Sequence, residues 1–248
     1  MKVIGIIPAR YASSRFPGKP LAIIRGKTMI ERVYRQAEKA KSLNKIVVAT
    51  DDVRIEDEVL RFGGEMMMTS ALHKSGTDRC GEVVQHLKEK FDIAINIQGD
   101  EPFLHPEQID AVAACLSHQH VKIATLVKKI EDAEDLKNPH VVKVVLNKNR
   151  EALYFSRSPI PHLRGVNMSE WLHHHIYYKH IGIYGFRIPV LLELLKLGAS
   201  DLEKAESLEQ LRWLENGYRI RVAETEHDSV SVDVPEDVAR VERLLAGS

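Results

Sequence analysis

Short apolar runs that alternate with helical segments are the feature that most constrains how this 248-residue chain can fold. Val3–Pro8 is an apolar run typical of a buried parallel strand, and Thr28–Ala40 repeats its apolar residues at helical spacing. The alternation continues, with strands predicted at Lys45–Ala49, Glu65–Met68, Asp92–Ile97 and Ile123–Val127, and helices at Asp51–Phe62, Arg79–Lys88 and Pro106–Leu116. This rhythm predicts an α/β fold, a mostly parallel, Rossmann-like sheet with helices on both faces.

The pattern changes after about residue 130. Strands are predicted at Val141–Leu146 and Ala152–Phe155 without a long helix between them, and an irregular stretch rich in proline and glycine runs to about residue 176. The chain then returns to a strand at Ile176–Arg187 and helices at Pro189–Leu197 and from a Ser200 cap to just before Gly217. We therefore predict a single domain, residues 1–248, with an inserted arm at 130–176.

The net charge of zero, from 35 basic and 35 acidic residues, conceals a basic N-terminal segment. Residues 1–35 contain eight lysines and arginines but one acidic residue, Glu31. Such a block indicates either a solvated basic face or a binding site for an anion. Nucleic acid is not the expected anion, because the basic residues are not interleaved with aromatic residues and the whole chain is not basic.

Membrane and disulfide-rich classes do not fit the sequence. No apolar run approaches the ~18–20 residues that a membrane-spanning helix needs. The apolar stretch at the N-terminus is short and reaches Pro8 and Arg10 at once, unlike a signal peptide. Cys80 and Cys115 are too few for a disulfide framework or a zinc site. We expect a cytoplasmic protein that does not insert into membranes.

The loop after the first predicted strand carries much of the basic charge. It has neither the glycine pattern of a dinucleotide-binding turn nor that of a P-loop. In an open α/β sheet, however, this loop lies where ligands bind, outside the carboxyl ends of the strands. We predict a phosphate-binding loop in which three basic side chains supply charge and three small residues allow close backbone approach: Arg10, Arg15 and Lys19, with Ser13, Ser14 and Gly18.

Two acidic residues follow other predicted strands. Asp100 comes after the strand that ends at Ile97, and Asp233 comes after the strand-like segment Ser229–Val232. Asp100 could be no more than a turn residue, but an acid at this place also suits Mg²⁺, which prefers a few carboxylates together with phosphate oxygens and water. Glu101 is the less favoured ligand, because consecutive strand residues point to opposite sides.

The run IPARYASSRFPGKPL, which contains the basic loop, resembles the signature of sugar nucleotidyltransferases that use CTP. Among them it is most similar to the 3-deoxy-manno-octulosonate (KDO) cytidylyltransferases. Six further blocks of that family recur in order over almost the whole chain: HKSGTDR (73–79), NIQGDEP (96–102), YFSRSPIP (154–161), KHIGIYGFR (179–187), ESLEQLRWLENG (206–217) and VDVPEDVARV (232–241).

The resemblance implies a reaction and a set of partners. It implies that CTP and KDO are joined to give CMP-KDO and pyrophosphate with Mg²⁺, which activates KDO for lipopolysaccharide synthesis. It also implies a homodimer, with the arm at 130–176 packed against the second subunit. Two alternatives remain open: a cytidylyltransferase for a related sugar acid, such as sialic acid or amino-substituted KDO, and a non-catalytic nucleotide-binding regulatory module. The blocks YFSRSPIP and HIGIYGFR favour KDO over sialic acid.

The resemblance also implies roles for individual residues. For catalysis it implies Lys19, Asp100 and Asp233, the two aspartates as magnesium ligands. For CTP it implies Arg10, Ser13, Arg15, Lys19, Ser75 and Arg79. For the sugar it implies Gln98, Arg157, His180, Tyr184, Glu209 and Gln210.

Several of these residues have structural readings from the sequence alone. Ser75 could be no more than a helix cap, and Arg157 could be no more than one partner of a structural salt bridge. His180 and Tyr184, four apart in a strand, share one face and could both be core residues. Glu209 and Gln210 could be solvated helix positions. Arg157 is also suited to a sugar carboxylate, which a guanidinium binds with two hydrogen bonds.

Overall fold

A nine-stranded sheet forms the centre of the computed structural model, which describes residues 1–12 and 15–246. A separate two-stranded hairpin, β2 and β3, follows the first strand. In chain order the strands are β1 (Val3–Ala9), β2 (Ile23–Ile24), β3 (Lys27–Thr28), β4 (Lys45–Thr50), β5 (Met66–Met68), β6 (Ile93–Asn96), β7 (Ile123–Lys129), β8 (Lys143–Leu146), β9 (Ala152–Ser156), β10 (Tyr178–Arg187) and β11 (Ile220–Glu224).

Helices connect most of these strands. They are α1 (Met29–Ala37), α2 (Val53–Arg61), α3 (Gly76–His86), α4 (Pro106–Ser117), α5 (Ala133–Lys137), α6 (Trp171–His174), α7 (Ile188–Leu194), α8 (Asp201–Glu206), α9 (Gln210–Glu215) and α10 (Glu236–Ala246), with short 3₁₀ turns at Lys19–Leu21 and Met168–Glu170. Among the described residues, no helix combines the length and the apolar character that crossing a membrane requires.

The main path of the sheet runs β11-β7-β10-β6-β1-β4-β5 and is mostly parallel, as predicted. β1 pairs in parallel with β4 on one side and β6 on the other, while β10 enters antiparallel between β6 and β7. The chain therefore leaves β1 toward one edge of the sheet and returns to its other side for β6. Such a reversal opens a crevice at the carboxyl ends of β1 and β6, where ligands bind in folds of this type.

Apolar clusters cover both faces of the sheet, so the prediction of helices on both faces is confirmed. Helices α1, α2 and α4 bury one face through residues such as Ile30, Ile55 and Val112. Helices α3, α7 and α9 bury the other through residues such as Val83 and Leu191. Strands buried on both faces read as continuous apolar runs, which explains the sequence of β1.

The single helix predicted from Ser200 to Gly217 is wrong, because the structure divides it into α8 and α9. The predicted capping box of Ser200 and Glu203 is present. Ser207, however, has φ 52°, a left-handed conformation that ends α8. Leu202 in α8 is exposed, whereas Leu211 in α9 is buried, so the two leucines do not form one continuous apolar face. The break lets α9 turn its start toward the crevice.

The segment 130–176 extends the main sheet. β8 pairs antiparallel with β10 and with β9, and a small apolar cluster of Ile130, Leu136, Trp171 and Tyr177 packs beside them. Whether this arm meets a second subunit stays a prediction. Two other differences concern the end of the chain: β11 is absent from the predicted strands, and Ser229–Val232 is not a strand. Val232 instead donates one backbone hydrogen bond, of 3.0 Å, to the Asp100 carbonyl.

Candidate active site

The turn after β6 lies against the end of β1 because Gly99 has no side chain. A Cβ atom at Gly99 would lie 2.8 Å from the Pro8 carbonyl oxygen, closer than such atoms approach. Any other residue would push the two strand ends apart. Glycine at this position thus brings Asp100 to the mouth of the crevice, beside the basic loop.

The basic loop turns back on itself at Gly18. This residue has φ 72°, a left-handed conformation that favours glycine, and its N–H donates to the Tyr11 carbonyl at 2.9 Å. The 3₁₀ turn Lys19–Leu21 begins directly afterwards. The Lys19 side chain is 15% exposed and lies at the acidic end of the β6 turn. Ser13, predicted to contact CTP, lies outside the described residues.

Lys19 is the centre of the charged cluster that the sequence predicted. Its Nζ lies 2.6 Å from Oδ2 of Asp100 and 3.7 Å from Oδ1 of Asp233. Arg15 donates to the same Asp233 oxygen at 2.8 Å. The three predicted catalytic residues therefore meet at one place, although 214 positions separate Lys19 from Asp233 in the chain.

Asp233 is held by Asp237, which was not predicted as a site residue. Oδ2 of Asp237 accepts the backbone N–H groups of Asp233 at 2.9 Å and Val234 at 3.2 Å. The hydrogen bond from Asp233, the largest favourable influence, keeps the pKa of Asp237 below its usual range. The sequence did contain an indication of this contact, because Asp237 belongs to the block VDVPEDVARV and lies four residues, about one helical turn, after Asp233.

The two aspartates fit a magnesium ion. Both carboxylates converge on one cation, the Lys19 ammonium, which shows that a positive charge is accommodated between them. Carboxylate oxygens from a few residues, completed by phosphate oxygens and water, are the ligands Mg²⁺ prefers. The donor set of Asp100 and Asp233 therefore suits this ion.

A cavity of about 310 Å³ opens beside the cluster and collects the predicted CTP residues. All five of them that the structure describes line it: Arg10, Arg15, Lys19, Ser75 and Arg79. His73 and Lys74 also line it and were missed, although they belong to the block HKSGTDR. The excess of positive charge suits a polyphosphate.

Two of these residues also have structural roles. Ser75 caps α3 and forms a capping box with Asp78, which is the alternative left open above. Arg79 is buried, and its guanidinium donates to Asp51 at 2.8 Å and to Thr69 at 2.6 Å. Arg79 thus ties α3 to the ends of β4 and β5, and its charge is largely matched by Asp51.

A second cavity, of about 480 Å³, adjoins the first and contains residues predicted for the sugar. Gln98, Arg157, Tyr184 and Glu209 line it. The two cavities share four wall residues: Gly76, Gln98, Asp100 and Asp233. The acidic pair therefore stands where the two cavities meet.

Arg157 is anchored by backbone carbonyl groups, and it forms no salt bridge with any residue that the structure describes. Its guanidinium donates to the carbonyls of Glu206 at 2.7 Å, Pro139 at 3.1 Å and Ser207 at 3.4 Å. A guanidinium has five N–H groups, so two remain for a ligand. The anchoring holds the guanidinium in place, and Arg157 is part of the wall of the second cavity.

His180 and Tyr184 share one face of β10, as predicted, with ring centroids 5.2 Å apart. His180 Nε2–H donates to Thr125 Oγ1 at 2.9 Å, and that hydroxyl donates to the Ile183 carbonyl at 2.8 Å. Desolvation lowers the pKa of His180 to about 3, so its ring is neutral near pH 7. Only Tyr184 of the two is among the described residues that line the second cavity.

Three further polar groups lie at this end of the sheet. Oε2 of Glu209 accepts the Thr77 hydroxyl at 2.9 Å, and burial raises the pKa of this carboxyl. Gln210, the first residue of α9 and predicted for the sugar, is buried and not solvated, and it is not among the described residues that line the second cavity. Glu101 is a buried part of the cavity wall that was not predicted as a site residue, and desolvation raises its pKa to about 7.

Comparisons with known proteins agree with this geometry. A family model described as cytidylyltransferase matches residues 4–220. The 3-deoxy-manno-octulosonate cytidylyltransferase of Parabacteroides distasonis is 55% identical, with 99% of each chain covered. That of Thermodesulfovibrio yellowstonii is 47% identical over 99% of this chain and 98% of its own.

Solved structures give the same result. A CMP:2-keto-3-deoxy-manno-octonic acid synthetase complexed with CTP is 42% identical in sequence and superposes with a TM-score of 0.91. The match covers 100% of this chain and 99% of that chain. The 4-diphosphocytidyl-2C-methyl-D-erythritol synthase of Anaerococcus prevotii, 15% identical with a TM-score of 0.62 over 99% of this chain and 96% of its own, shares the fold. The chain is a nucleotidyltransferase that belongs to the cytidylyltransferase family and, within it, to the 3-deoxy-manno-octulosonate cytidylyltransferases.

Proposed function

We propose that this chain transfers the cytidylyl group of CTP to KDO, giving CMP-KDO and pyrophosphate. The observation that carries the proposal is the pair of adjoining cavities, one basic and one lined by mixed polar groups, that share Asp100 and Asp233. A transferase for two substrates needs such a junction, because the reacting atoms must meet in one place. The names of the full-length relatives supply the identity of the two substrates.

The basic cavity holds CTP in this proposal. Arg10, Arg15 and Lys19 neutralise the triphosphate and stabilise the charge that develops on the departing pyrophosphate. Lys19 reaches both the aspartates and the mouth of the cavity, so its ammonium exchanges a carboxylate partner for a phosphate oxygen when CTP binds.

The second cavity holds KDO. The two free N–H groups of Arg157 suit the sugar's carboxylate, and Gln98, Tyr184 and Glu209 offer partners for its hydroxyl groups. Its anomeric hydroxyl gives up its proton to solvent and attacks the α-phosphorus of CTP in line, so that a new P–O bond forms as the bond to pyrophosphate breaks. Catalysis of this kind rests on positioning and electrostatic stabilisation.

Asp100 and Asp233 are proposed to hold Mg²⁺. When bound, the ion lowers the pKa of the sugar hydroxyl and neutralises phosphate charge. The chain itself fixes the two carboxylates in place. Asp237 holds the segment that carries Asp233, and the hydrogen bond from Val232 to the Asp100 carbonyl joins that segment to the turn after β6.

A pyrophosphate-release assay that crosses four nucleoside triphosphates with KDO, amino-substituted KDO and sialic acid tests the proposal. We expect release with CTP and KDO in the presence of Mg²⁺. Release with sialic acid or amino-substituted KDO instead would keep cytidylyl transfer and change the sugar. No release in any combination, with CTP still bound, would favour a regulatory module.

The setting of the reaction is also proposed. We place it in the cytoplasm and at the step that activates KDO for lipopolysaccharide synthesis. A homodimer through the arm is supported by exposed apolar side chains within this segment, Leu153 in β9 at 59% and Ile176 at its end at 53%. Sedimentation equilibrium of the wild type and of Leu153→Glu tests this: a dimer that the substitution weakens is expected, and a monomeric wild type would contradict it.

A further inference from the structure

A cluster of two histidines and a glutamate lies outside the two cavities. His105 directly precedes α4, Glu107 lies in the first turn of that helix, and His227 belongs to the loop after β11. One nitrogen or oxygen from each of these side chains lies within 4.8 Å of the other two. The cluster therefore joins two segments that are far apart in the sequence.

The distances within the cluster match those of a metal site. His227 Nε2 lies 3.1 Å and His105 Nδ1 lies 3.8 Å from the same Glu107 oxygen, Oε2. With bonds of about 2.0–2.1 Å, the ligand atoms of a tetrahedral zinc site are separated by roughly 3.4 Å. The two observed separations lie on either side of that value.

A hydrogen bond between His227 and Glu107 explains only part of the arrangement. His105 Nδ1 is buried from solvent and has no hydrogen bond of normal geometry among the described residues, although the backbone N–H of Gln108 in the first turn of α4 faces it. The two imidazole rings are stacked, 3.5 Å apart with planes 9° from parallel. One ring must tilt before both nitrogens face one ion, and the side chains of His105 and His227 are 44% and 35% exposed.

We propose that His105, Glu107 and His227 form a zinc-binding site, with water completing the four ligands. Two histidines and one glutamate are a ligand set that proteins use for Zn²⁺. Imidazole nitrogen suits transition metals, whereas Mg²⁺ takes oxygen ligands, so this site and the aspartate pair select different ions.

A zinc ion bound here links the start of α4 to the loop that leads to the active site. The His227 carbonyl already accepts a hydrogen bond from Gln108 of α4 at 3.3 Å. The next residue, Asp228, pairs with Lys128 and Lys179, and Asp233 follows within the same segment. The ion thus stabilises the segment that carries a magnesium ligand, without touching the reacting atoms.

Calorimetric titration of Zn²⁺ into the full chain, with millimolar MgCl₂ present to occupy oxygen-only sites, tests the proposal. One zinc ion is expected to bind, and to raise the melting temperature. His105→Gln and His227→Gln should each weaken binding at least ~10-fold, since even the outer partners of metal ligands cost 10–100-fold when lost. Glu107→Gln should weaken zinc binding as well. Because Glu107 is exposed and the change leaves both imidazole rings in place, this variant tests the site independently of ring packing.

His173→Gln is the matched control, because the exposed run His173–His175 is another place with neighbouring imidazoles. It should leave the zinc affinity unchanged. Co²⁺ provides a spectroscopic probe: nitrogen ligands in a four-coordinate site give strong visible absorption that His227→Gln should abolish. Zinc binding that is equal in wild type and the double variant His105→Gln/His227→Gln, or that is lost with His173→Gln or Asp100→Asn instead, would overturn the proposal.

Discussion

Lys19 Nζ lies 2.6 Å from Oδ2 of Asp100, which joins the basic loop after β1 to the acidic turn after β6. The same ammonium lies 3.7 Å from Asp233, so one lysine offsets the charge of two carboxylates that would otherwise repel each other. The ion pair is also largely shielded, with the lysine side chain 15% exposed. The basic N-terminal segment therefore contributes a specific contact as well as a general positive field.

Lys19→Ala should weaken CTP binding and lower kcat, because it removes charge from both the bound triphosphate and the leaving pyrophosphate. We expect a loss of at least ~10²-fold in kcat/KM, the scale of removing one electrostatic stabiliser. Lys27→Ala is the control. Lys27 belongs to the same basic segment but is itself exposed, pairs with the buried Glu31 at 3.4 Å and lies outside the walls of both cavities. Similar losses from the two substitutions in steady-state assays would mean that the segment acts only as a diffuse field.

Asp100→Asn and Asp233→Asn should each keep the fold and remove at least ~10²-fold of the turnover, because an amide carries no charge and binds Mg²⁺ poorly. Circular dichroism checks the fold, and turnover is measured as Mg²⁺ is varied. Both variants should need more Mg²⁺ than the wild type. Full turnover in excess chelator would contradict the assignment of the two aspartates as magnesium ligands.

Asp237→Ala tests how Asp233 is positioned. The substitution removes the acceptor of two backbone N–H groups, at 2.9 and 3.2 Å, and so frees the segment that holds Asp233. We expect the Mg²⁺ concentration for half-maximal activity to rise by about 10–100-fold, as for other partners of metal ligands. High Mg²⁺ should largely restore kcat. A loss of kcat that Mg²⁺ does not restore would place Asp237 in the chemistry itself.

Much of the site was predictable because parallel strands end at one edge of the sheet. The apolar runs of β1 and β6 could be read locally, and the polar residues after them, Lys19 and Asp100, had to meet near that edge. The antiparallel entry of β10 and the extended segment before Asp233 depend on pairing between distant parts of the chain, which local periodicity does not encode. The helix break at Ser207 could not be predicted locally either, because a serine rarely adopts the left-handed backbone conformation that ends α8.

Buried ion pairs were equally hidden from the sequence. Arg79 was predicted to contact CTP, and nothing in its block indicates that Asp51, 28 positions earlier, lies 2.8 Å from its guanidinium. The block HKSGTDR shows only that a charged residue follows a capping serine. Deciding whether such an arginine serves the ligand or the fold requires the tertiary contacts.

Arg157→Lys should be nearly as harmful as Arg157→Ala. A lysine ammonium cannot keep the three carbonyl contacts of the guanidinium and also offer two parallel donors to the sugar's carboxylate. A charge-assisted hydrogen bond contributes about 1.5–3 kcal/mol, so kcat/KM for KDO should fall roughly 10–150-fold. Calorimetry should find the CTP affinity little changed. A large loss of CTP affinity with intact sugar kinetics would assign Arg157 to the nucleotide.

His180 should make the stability of the protein depend on pH. In the folded state desolvation lowers its pKa from 6.5 to about 3, so the ring stays neutral, whereas in the unfolded chain it titrates normally. As pH falls below 6.5, the unfolded state takes up a proton that the folded state does not, and the free energy of unfolding decreases. Between about pH 7 and pH 5 this single group should lower the free energy of unfolding by about 2 kcal/mol.

His180→Gln removes the titrating ring and its contacts with Phe155 and Tyr184, so the variant should be less stable than the wild type at pH 7. At pH 5 the difference in the free energy of unfolding should be smaller by about 2 kcal/mol. Urea unfolding of both proteins across this range measures the difference, and a gap that stays constant with pH would show that His180 titrates in the folded state as it does in the unfolded chain.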